Sequence, residues 1–151
     1  MMMDALLSYF HLSAIFLLFA FLTVEAMVLR NPLDANAVRL IARIDLWYVA
    51  AVLLALASGL MRFVWGAKGV EFYSGNPMFY IKVALFVAVG VLSVWPALQF
   101  RRWSRLLAAD AAFVAPDAER ARARRQVMFE LHIAALLPLF AVLMARGINF
   151  S

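Results

Sequence analysis

The sequence contains no cysteine and only two histidines among its 151 residues. Without thiols, disulfide bonds, thiolate metal sites and thiol catalysis are excluded. Charged residues are also scarce, at 15% of the chain, where ordinary soluble domains have about 25%. Metal or proton chemistry in this protein therefore depends on a small number of ionisable side chains.

Apolar residues are abundant instead, at 67% of the chain, and the mean hydropathy is +0.90. Four segments are each close to the roughly 20 residues with which a helix crosses a hydrocarbon core. We therefore predict an all-α transmembrane four-helix bundle that forms a single domain over residues 1–151. The predicted spans cover residues 5–29, 46–65, 78–100 and 127–145, and a basic cytoplasmic loop covers residues 101–126.

The distribution of arginine predicts the orientation of the spans. Arginines are concentrated between the first and second spans and between the third and fourth. The positive-inside rule places these connections in the cytoplasm and both termini outside. The net charge of +5 then mostly reflects topology. Beside a membrane span, the RARARR sequence favours anionic lipid headgroups as partners over nucleic acid.

Ionisable residues within the spans are functional candidates, because burying them in hydrocarbon is costly. At a rise of about 1.5 Å per residue, His11 and Lys82 lie about 9 Å and about 7 Å below the outer surface. Arg62 and Arg146 lie near the rim of this outer layer. The inner polar layer consists of Glu25, Glu130 and His132, with Asp45 and Arg43 at its rim.

Two histidines in a four-helix membrane bundle suggest a haem b with two histidine ligands. However, the two layers are separated by about 15 Å of a core about 30 Å thick. His11 and His132 should therefore not ligate one iron within one protomer. The outer layer suits a haem better, because burial favours a neutral Lys82 amine that could ligate iron opposite the His11 imidazole. The height expected for haem propionates is occupied by Arg62, Lys68, Tyr73 and Arg146.

Each candidate also has a simpler interpretation. The Lys82 side chain could extend its ammonium group to the interface, or it could relay protons. His11 could be a hydrogen-bonded histidine between helices. His132 with Glu25 reads mainly as a buried polar pair or relay on the inner side, and a second metal site at His132 is less favoured.

Two segments resemble those of known haem proteins. The segments YFHLSAIF in the first span and NPMFYIKVALFVAVGVLS in the third resemble the HemJ-type protoporphyrinogen oxidases. Those are small four-helix haem-binding membrane proteins with a histidine in the first helix and a lysine early in the third. The resemblance implies haem contact by His11 and Lys82. Met78 stands where that family has a tryptophan, and it is a soft alternative ligand one turn before the lysine.

A second resemblance covers nearly the whole chain. The segments that carry it are HLSAIFLLFAFLTVEAMVLR, ASGLMRFVWGAKGVEFY, NPMFYIKVALF and LMARGI. In this order they are similar to an uncharacterised bacterial family of small four-helix membrane proteins. The resemblance implies a multi-pass protein of the bacterial inner (cytoplasmic) membrane, in which the arginine distribution puts both termini on the periplasmic side, and it implies no particular activity.

The leading hypothesis is a haem b protein that binds haem or transfers electrons near the periplasmic face, with a quinone or another redox partner. If the protein is an enzyme, it is an oxidoreductase. One alternative is a HemJ-like porphyrinogen oxidase. Another is a copper-handling membrane protein similar to the CopD type, with the MMM start, Met61, Met78 and His11 as ligands. A scaffold without a cofactor is the fourth hypothesis.

The sequence also predicts a homodimer. Ala51, Ala55 and Gly59 recur every four residues along the second span, and such stripes of small residues allow close helix contact. Four helices are few to enclose a porphyrin. In a homodimer, each haem could use groups from both chains.

Overall fold

The computed structural model describes residues 1–66 and 69–147. Within these residues the chain is all-helical, and four of its five helices are long and apolar enough to cross a membrane. The predicted all-α arrangement of four apolar spans is therefore confirmed. The helices are α1 (Met2–Val28), α2 (Ala35–Trp65), α3 (Gly69–Ser74), α4 (Pro77–Ala109) and α5 (Asp117–Ala145).

The four long helices form a bundle in which α1 packs against α2 and α5, and α4 packs against the same two helices. In the described part of the chain, α1 and α4 thus occupy diagonal positions. The short helix α3 packs between α2 and α4, in the segment that the sequence predicts as a loop. Met144 near the end of α5 lies in one buried cluster with Tyr73 of α3 and Met78 of α4, so the C-terminal end of α5 lies at this "α3 end" of the bundle.

Two helices begin at a residue whose side chain caps the N-terminus of the helix. The Asp34 carboxylate accepts a hydrogen bond from the backbone N–H of Ala37 at 2.7 Å, which caps α2. The Asn76 side chain accepts from the N–H of Met78 at 2.9 Å, and Pro77 occupies the first turn of α4. The chain therefore enters α2 and α4 at fixed positions.

The helices extend beyond the predicted spans at the opposite, arginine-rich end of the bundle, which contains Arg101, Arg102 and residues 120–125. α4 continues to Ala109 and α5 begins at Asp117, so only residues 110–116 of the predicted loop 101–126 are outside these helices. The cause is an amphipathic extension of α4, in which Phe100, Trp103 and Leu107 are buried. The end of the apolar run in the sequence shows where the hydrocarbon core ends, but the helix itself continues beyond that point.

The small residues of α2 are used within the bundle. Ala51 and Ala55 are only 4% and 1% exposed, and Ala51 lies in one buried cluster with Leu18 and Leu22 of α1. Gly59 contacts His11 of α1. The stripe that suggested a second protomer therefore accommodates α1 of the same chain.

A polar network joins α4 to α5 at the arginine-rich end. The Glu119 carboxylate accepts hydrogen bonds from the Trp103 indole N–H at 2.9 Å, from Arg102 at 2.8 Å and from Gln99 at 3.3 Å. The neighbouring Arg120 donates to the carbonyl oxygen of Leu29 at 2.9 Å, just beyond the end of α1. This end of the bundle is thus held together by hydrogen bonds to a charged carboxylate, which are stronger than neutral ones.

We expect Glu119→Ala to lower the free energy of unfolding by about 1–3 kcal/mol, because the Trp103 and Gln99 donors lose their acceptor. The measurement is reversible unfolding of the detergent-solubilised protein. Asp117→Ala is the matched control, because the Asp117 side chain is 83% exposed and makes only a surface ion pair with Arg120, of a kind that contributes at most about 1 kcal/mol. Equal effects of the two substitutions would show that the network does not join the helices.

Candidate functional site

A cavity of about 330 Å³ lies at the α3 end of the bundle, and we call it the His11 cavity. Its polar and charged lining comes from His11 of α1, Arg62 of α2 and Lys82 of α4. The structure thus brings together three of the residues that the sequence placed in the outer layer. Tyr73 of α3 and Tyr80 of α4 add aromatic rings to the wall. The other aromatic lining residues are Phe63, Phe79 and Phe86.

The cavity is open on one side. Its lining includes side chains that are also substantially exposed on the outer surface of the bundle. These residues come from α2 and α4, and their exposed fractions lie between 44% and 56%: Leu56, Leu60, Tyr80, Val83 and Val87. In a helix that spans a membrane, such a surface faces lipid, so the His11 cavity is accessible from the hydrocarbon.

The hydrogen bonds of His11 determine which ring nitrogen carries the proton. Its Nδ1 atom lies 3.1 Å from the carbonyl oxygen of Ala55 and 3.0 Å from the Ser58 hydroxyl. The Ser58 hydroxyl is also 2.7 Å from the carbonyl oxygen of Leu54, to which it donates. Because a carbonyl oxygen only accepts, this network assigns the proton to Nδ1. The Nε2 atom then keeps its lone pair and is able to bind a metal or accept a proton.

Gly59 allows the imidazole to lie directly against α2. A Cβ atom at this position would be 3.2 Å from Cε1 of His11 and 3.6 Å from Nδ1. The first distance is shorter than an ordinary van der Waals contact. The small residue therefore makes room for the His11 ring, in addition to its place in the helix-packing stripe.

Two cations share the cavity with this histidine. Neither Arg62 nor Lys82 belongs to a salt bridge in residues 1–66 and 69–147. The Nε atom of Arg62 is buried without a hydrogen-bond partner. A pair of positive charges against apolar walls, with no carboxylate to neutralise them, is suited to an anionic group of a ligand.

The remaining residues of the predicted outer site are placed differently. Met78 is fully buried, but it packs with Tyr73 and Met144 in an aromatic cluster and is not part of the cavity wall. Tyr73 is 6% exposed, so it is a buried wall residue. Arg146 is exposed just beyond the end of α5, outside the cavity lining. Lys68 lies outside the described residues.

A second polar group occurs towards the arginine-rich end, and we call it the carboxyl cluster. It consists of Glu25 of α1, Asp45 of α2 and Glu130 of α5, which are 1%, 4% and 1% exposed. The Glu25 and Asp45 carboxyls interact with each other, and Glu130 interacts with Ser93 of α4. Tyr48 of α2 lies 2.6 Å from the same Ser93 hydroxyl.

Two of the three residues predicted for the inner polar layer, Glu25 and Glu130, therefore lie in one cluster, and the third does not. His132 is exposed on the outer face of α5, where its Nδ1 bonds to the carbonyl oxygen of Met128 in the same helix at 2.6 Å. The expected pairing of Glu25 with His132 is thus replaced by the pairing of Glu25 with Asp45. Sequence reasoning missed Tyr48, although it lies three residues after Asp45 and hence on the same face of α2.

In the part of the chain that the structure describes, no group of three or more His, Cys, Asp or Glu side chains is arranged to hold a metal ion.

We expect nitrogen-15 NMR of the His132→Gln variant, in which His11 is the remaining histidine, to show a neutral imidazole protonated at Nδ1. Ser58→Ala should preserve this tautomer, because the Ala55 carbonyl still accepts the proton. Gly59→Leu should change the His11 signals, because a side chain at this position occupies the space of the ring. Protonation at Nε2 in the parent variant would contradict the assignment.

Comparison with known proteins supports the resemblance that covers the whole chain. A family model described as "Predicted membrane protein (DUF2214)" matches residues 3–149. No curated protein matches and no solved structure matches, so the resemblance to HemJ-type oxidases gains no further support. The four apolar helices agree with a multi-pass membrane protein. The chain therefore belongs to the DUF2214 family of predicted membrane proteins.

Proposed function

We propose that this protein binds haem b in the His11 cavity and serves in redox chemistry or electron transfer near the periplasmic face. The observation that carries the proposal is the His11 ring, whose Nδ1 bonds to Ala55 and whose Nε2 keeps its lone pair in a cavity shared with Arg62 and Lys82, which form no salt bridge within the described residues. Histidines that ligate metals commonly donate their other N–H to a backbone carbonyl, which orients the ring and increases its basicity.

The residues present fit a haem in their chemistry. The His11 Nε2 atom would ligate the iron, and Arg62 would neutralise a propionate. Lys82 would either supply a second nitrogen ligand, as a neutral amine, or pair with the other propionate. The aromatic and aliphatic wall would contact the apolar face of the macrocycle. When bound, a haem supplies a one-electron couple whose potential depends on its axial ligands and burial.

The size of the cavity decides how much of the ligand one chain can enclose. At about 330 Å³ it is near the lower limit of ligand sites, which range over about 300–1,000 Å³. A porphyrin would therefore extend through the open side formed by α2 and α4. We propose that a second copy of the chain covers this side in a homodimer, since the exposed cavity residues Leu56, Leu60, Tyr80, Val83 and Val87 are apolar or aromatic.

The same volume and the opening towards lipid favour one other occupant, the headgroup of a membrane quinone. Quinone oxygens accept hydrogen bonds, and the Arg62 and Lys82 side chains are donors in the cavity wall. A quinone would enter from the hydrocarbon and use no iron. The copper hypothesis has less support, because Met78 is packed among aromatic rings and not against His11.

We also propose that the protein lies in the bacterial inner membrane with its arginine-rich end in the cytoplasm. The support is the concentration of Arg101, Arg102, Arg105 and residues 120–125 at one end of the spans, because positively charged residues favour the cytoplasmic side. The His11 cavity then lies towards the periplasm, together with both termini.

We expect the full-length protein in detergent, titrated with haemin, to give a Soret band and a spectrum with resolved α and β bands on reduction. His11→Ala should weaken haemin binding by about tenfold or more, because it removes the iron ligand. Arg62→Ala should weaken it by a smaller factor, because the propionate remains partly solvated. His132→Ala is the matched control and should bind haemin as the wild type does, because His132 is exposed on the outer face of α5 and does not line the His11 cavity.

Equal haemin binding by the His11→Ala and His132→Ala variants would refute the haem site. Saturable binding of a short-chain quinone, lost in Lys82→Ala and without a Soret response to haemin, would support the quinone occupant. Molecular mass measured with and without haemin tests the dimer, which should form or tighten when haemin is present.

A further inference from the structure

The carboxyl cluster has no role in the proposed cofactor site, yet it is the most deeply buried set of ionisable groups in the described residues. Glu25, Asp45 and Glu130 come from three different helices and are all at most 4% exposed. The salt bridges of the described residues join Arg102 with Glu119 and Arg120 with Asp117. The cluster thus contains three carboxyl groups and no ion-pair partner.

Two atoms in the cluster have no partner at all. Oε1 of Glu25 and Oε1 of Glu130 are buried and accept no hydrogen bond from the described residues. Each of the two residues is only 1% exposed. A carboxylate oxygen left bare in an apolar interior is strongly disfavoured, because neither water nor a donor compensates its charge. A proton on the carboxyl group removes that charge.

The contact between Glu25 and Asp45 leads to the same conclusion independently of those atoms. Glu25 and Asp45 are neighbours and are both buried, and two carboxylates side by side in an apolar interior repel each other unless one of them carries a proton. Similar pairs elsewhere share a proton because adjacent like charges cannot both ionise. Tyr48 extends this network, because Ser93 donates to the carbonyl oxygen of Val89 at 2.6 Å and therefore accepts from the Tyr48 hydroxyl.

We propose that the carboxyl cluster is a proton-binding site that exchanges protons with the aqueous phase at the arginine-rich end. The groups that face it are Glu25 from α1, Asp45 and Tyr48 from α2, Ser93 and Arg101 from α4, and Glu130 from α5. In the exchange step the Asp45 carboxyl releases its proton to water as hydronium and the Glu25 carboxyl passes its proton to the Asp45 carboxylate; the reverse steps, with a proton taken up from hydronium, restore both groups. No oxidant, reductant or metal is required.

A groove at the arginine-rich end provides the route for this exchange. It has a volume of about 940 Å³ and is lined by Ala42 and Leu46 of α2 and by Gln99, Arg101 and Ser104 of α4. Asp45 lies between these two α2 residues in sequence and interacts electrostatically with Arg101. Asp45 is itself buried and lies behind this wall, so it is the carboxyl of the cluster nearest to water held by the polar side chains of the groove, and we assign it as the entry point.

The route for protons is closed on the side of the carboxyl cluster that faces the His11 cavity. Between the carboxyl cluster and the His11 cavity lies an apolar layer contributed by all four long helices: Leu18, Leu22, Ala51, Val89 and Ala134. Along α2, Tyr48 and Ala55 are separated by about 10 Å at 1.5 Å per residue. A chain of hydrogen bonds does not cross this layer, so the cluster exchanges protons with one end only.

Infrared difference spectroscopy of the full-length protein in a detergent without ester groups tests the proposal. At neutral pH, wild-type protein should absorb at the carbonyl stretch of protonated carboxylic acids, shift this band to lower frequency in D₂O, and lose it at high pH. Glu25→Gln and Glu130→Gln, which keep the side-chain shape, should each lose part of the band. The matched controls Glu71→Gln and Asp117→Asn replace exposed carboxylates and should leave it unchanged.

A wild-type spectrum without a protonated carboxyl band at neutral pH would overturn the proposal, and this result needs no variant to fold. A band that persists in full in both glutamine variants would also overturn it. Loss of the band on addition of sodium or magnesium ions would identify a cation site instead. The measurement uses protein without haemin, so its outcome is independent of the cofactor proposed for the His11 cavity.

Discussion

The structure depends on one constraint: a polar group inside an apolar bundle must find its partner on another helix, because surrounding hydrocarbon offers none. His11 of α1 finds its partners in the backbone and hydroxyl of α2. Tyr48 of α2 finds Ser93 of α4, and Glu25 of α1 finds Asp45 of α2. The polar contacts that create the two candidate sites are therefore also contacts that fix the positions of the helices relative to one another.

Because of this constraint, the buried polar groups that have no partner on another helix are informative. Within the described residues, Arg62 and Lys82 share a cavity without forming a salt bridge, and two glutamate oxygens are buried without a hydrogen-bond donor. The two proposals start from these groups: an anionic ligand would pair with the first, and a proton would neutralise the second. The hydrogen-bonded polar groups, by contrast, hold the bundle together.

Depth could be predicted from the sequence, whereas the direction of each side chain around its helix could not. Counting along the spans placed His11 with Lys82 and Glu25 with Glu130, and the structure agrees. The expectation for His132 overlooked helical geometry: residues two positions apart point in very different directions, about 200° around the axis. Since Glu130 is buried, His132 must face outwards.

Met78 was misplaced for a related reason, because an almost uniformly apolar helix does not show which face packs inwards. The short helix α3 has no apolar run of its own and is formed by contacts with α2 and α4.

The apolar layer between the two sites has a consequence for any redox role. Electron transfer into the His11 cavity would change its charge by one unit, and the carboxyl cluster lies on the far side of the Leu18 and Val89 layer. At this separation, electrostatic interaction persists in a medium of low dielectric constant, while a hydrogen-bonded path for protons is interrupted. A charge bound in the cavity would therefore act on the cluster only through the field across the layer, without direct proton transfer. The four helices would in this way hold the proposed cofactor site and the proposed proton site at different depths of one small bundle.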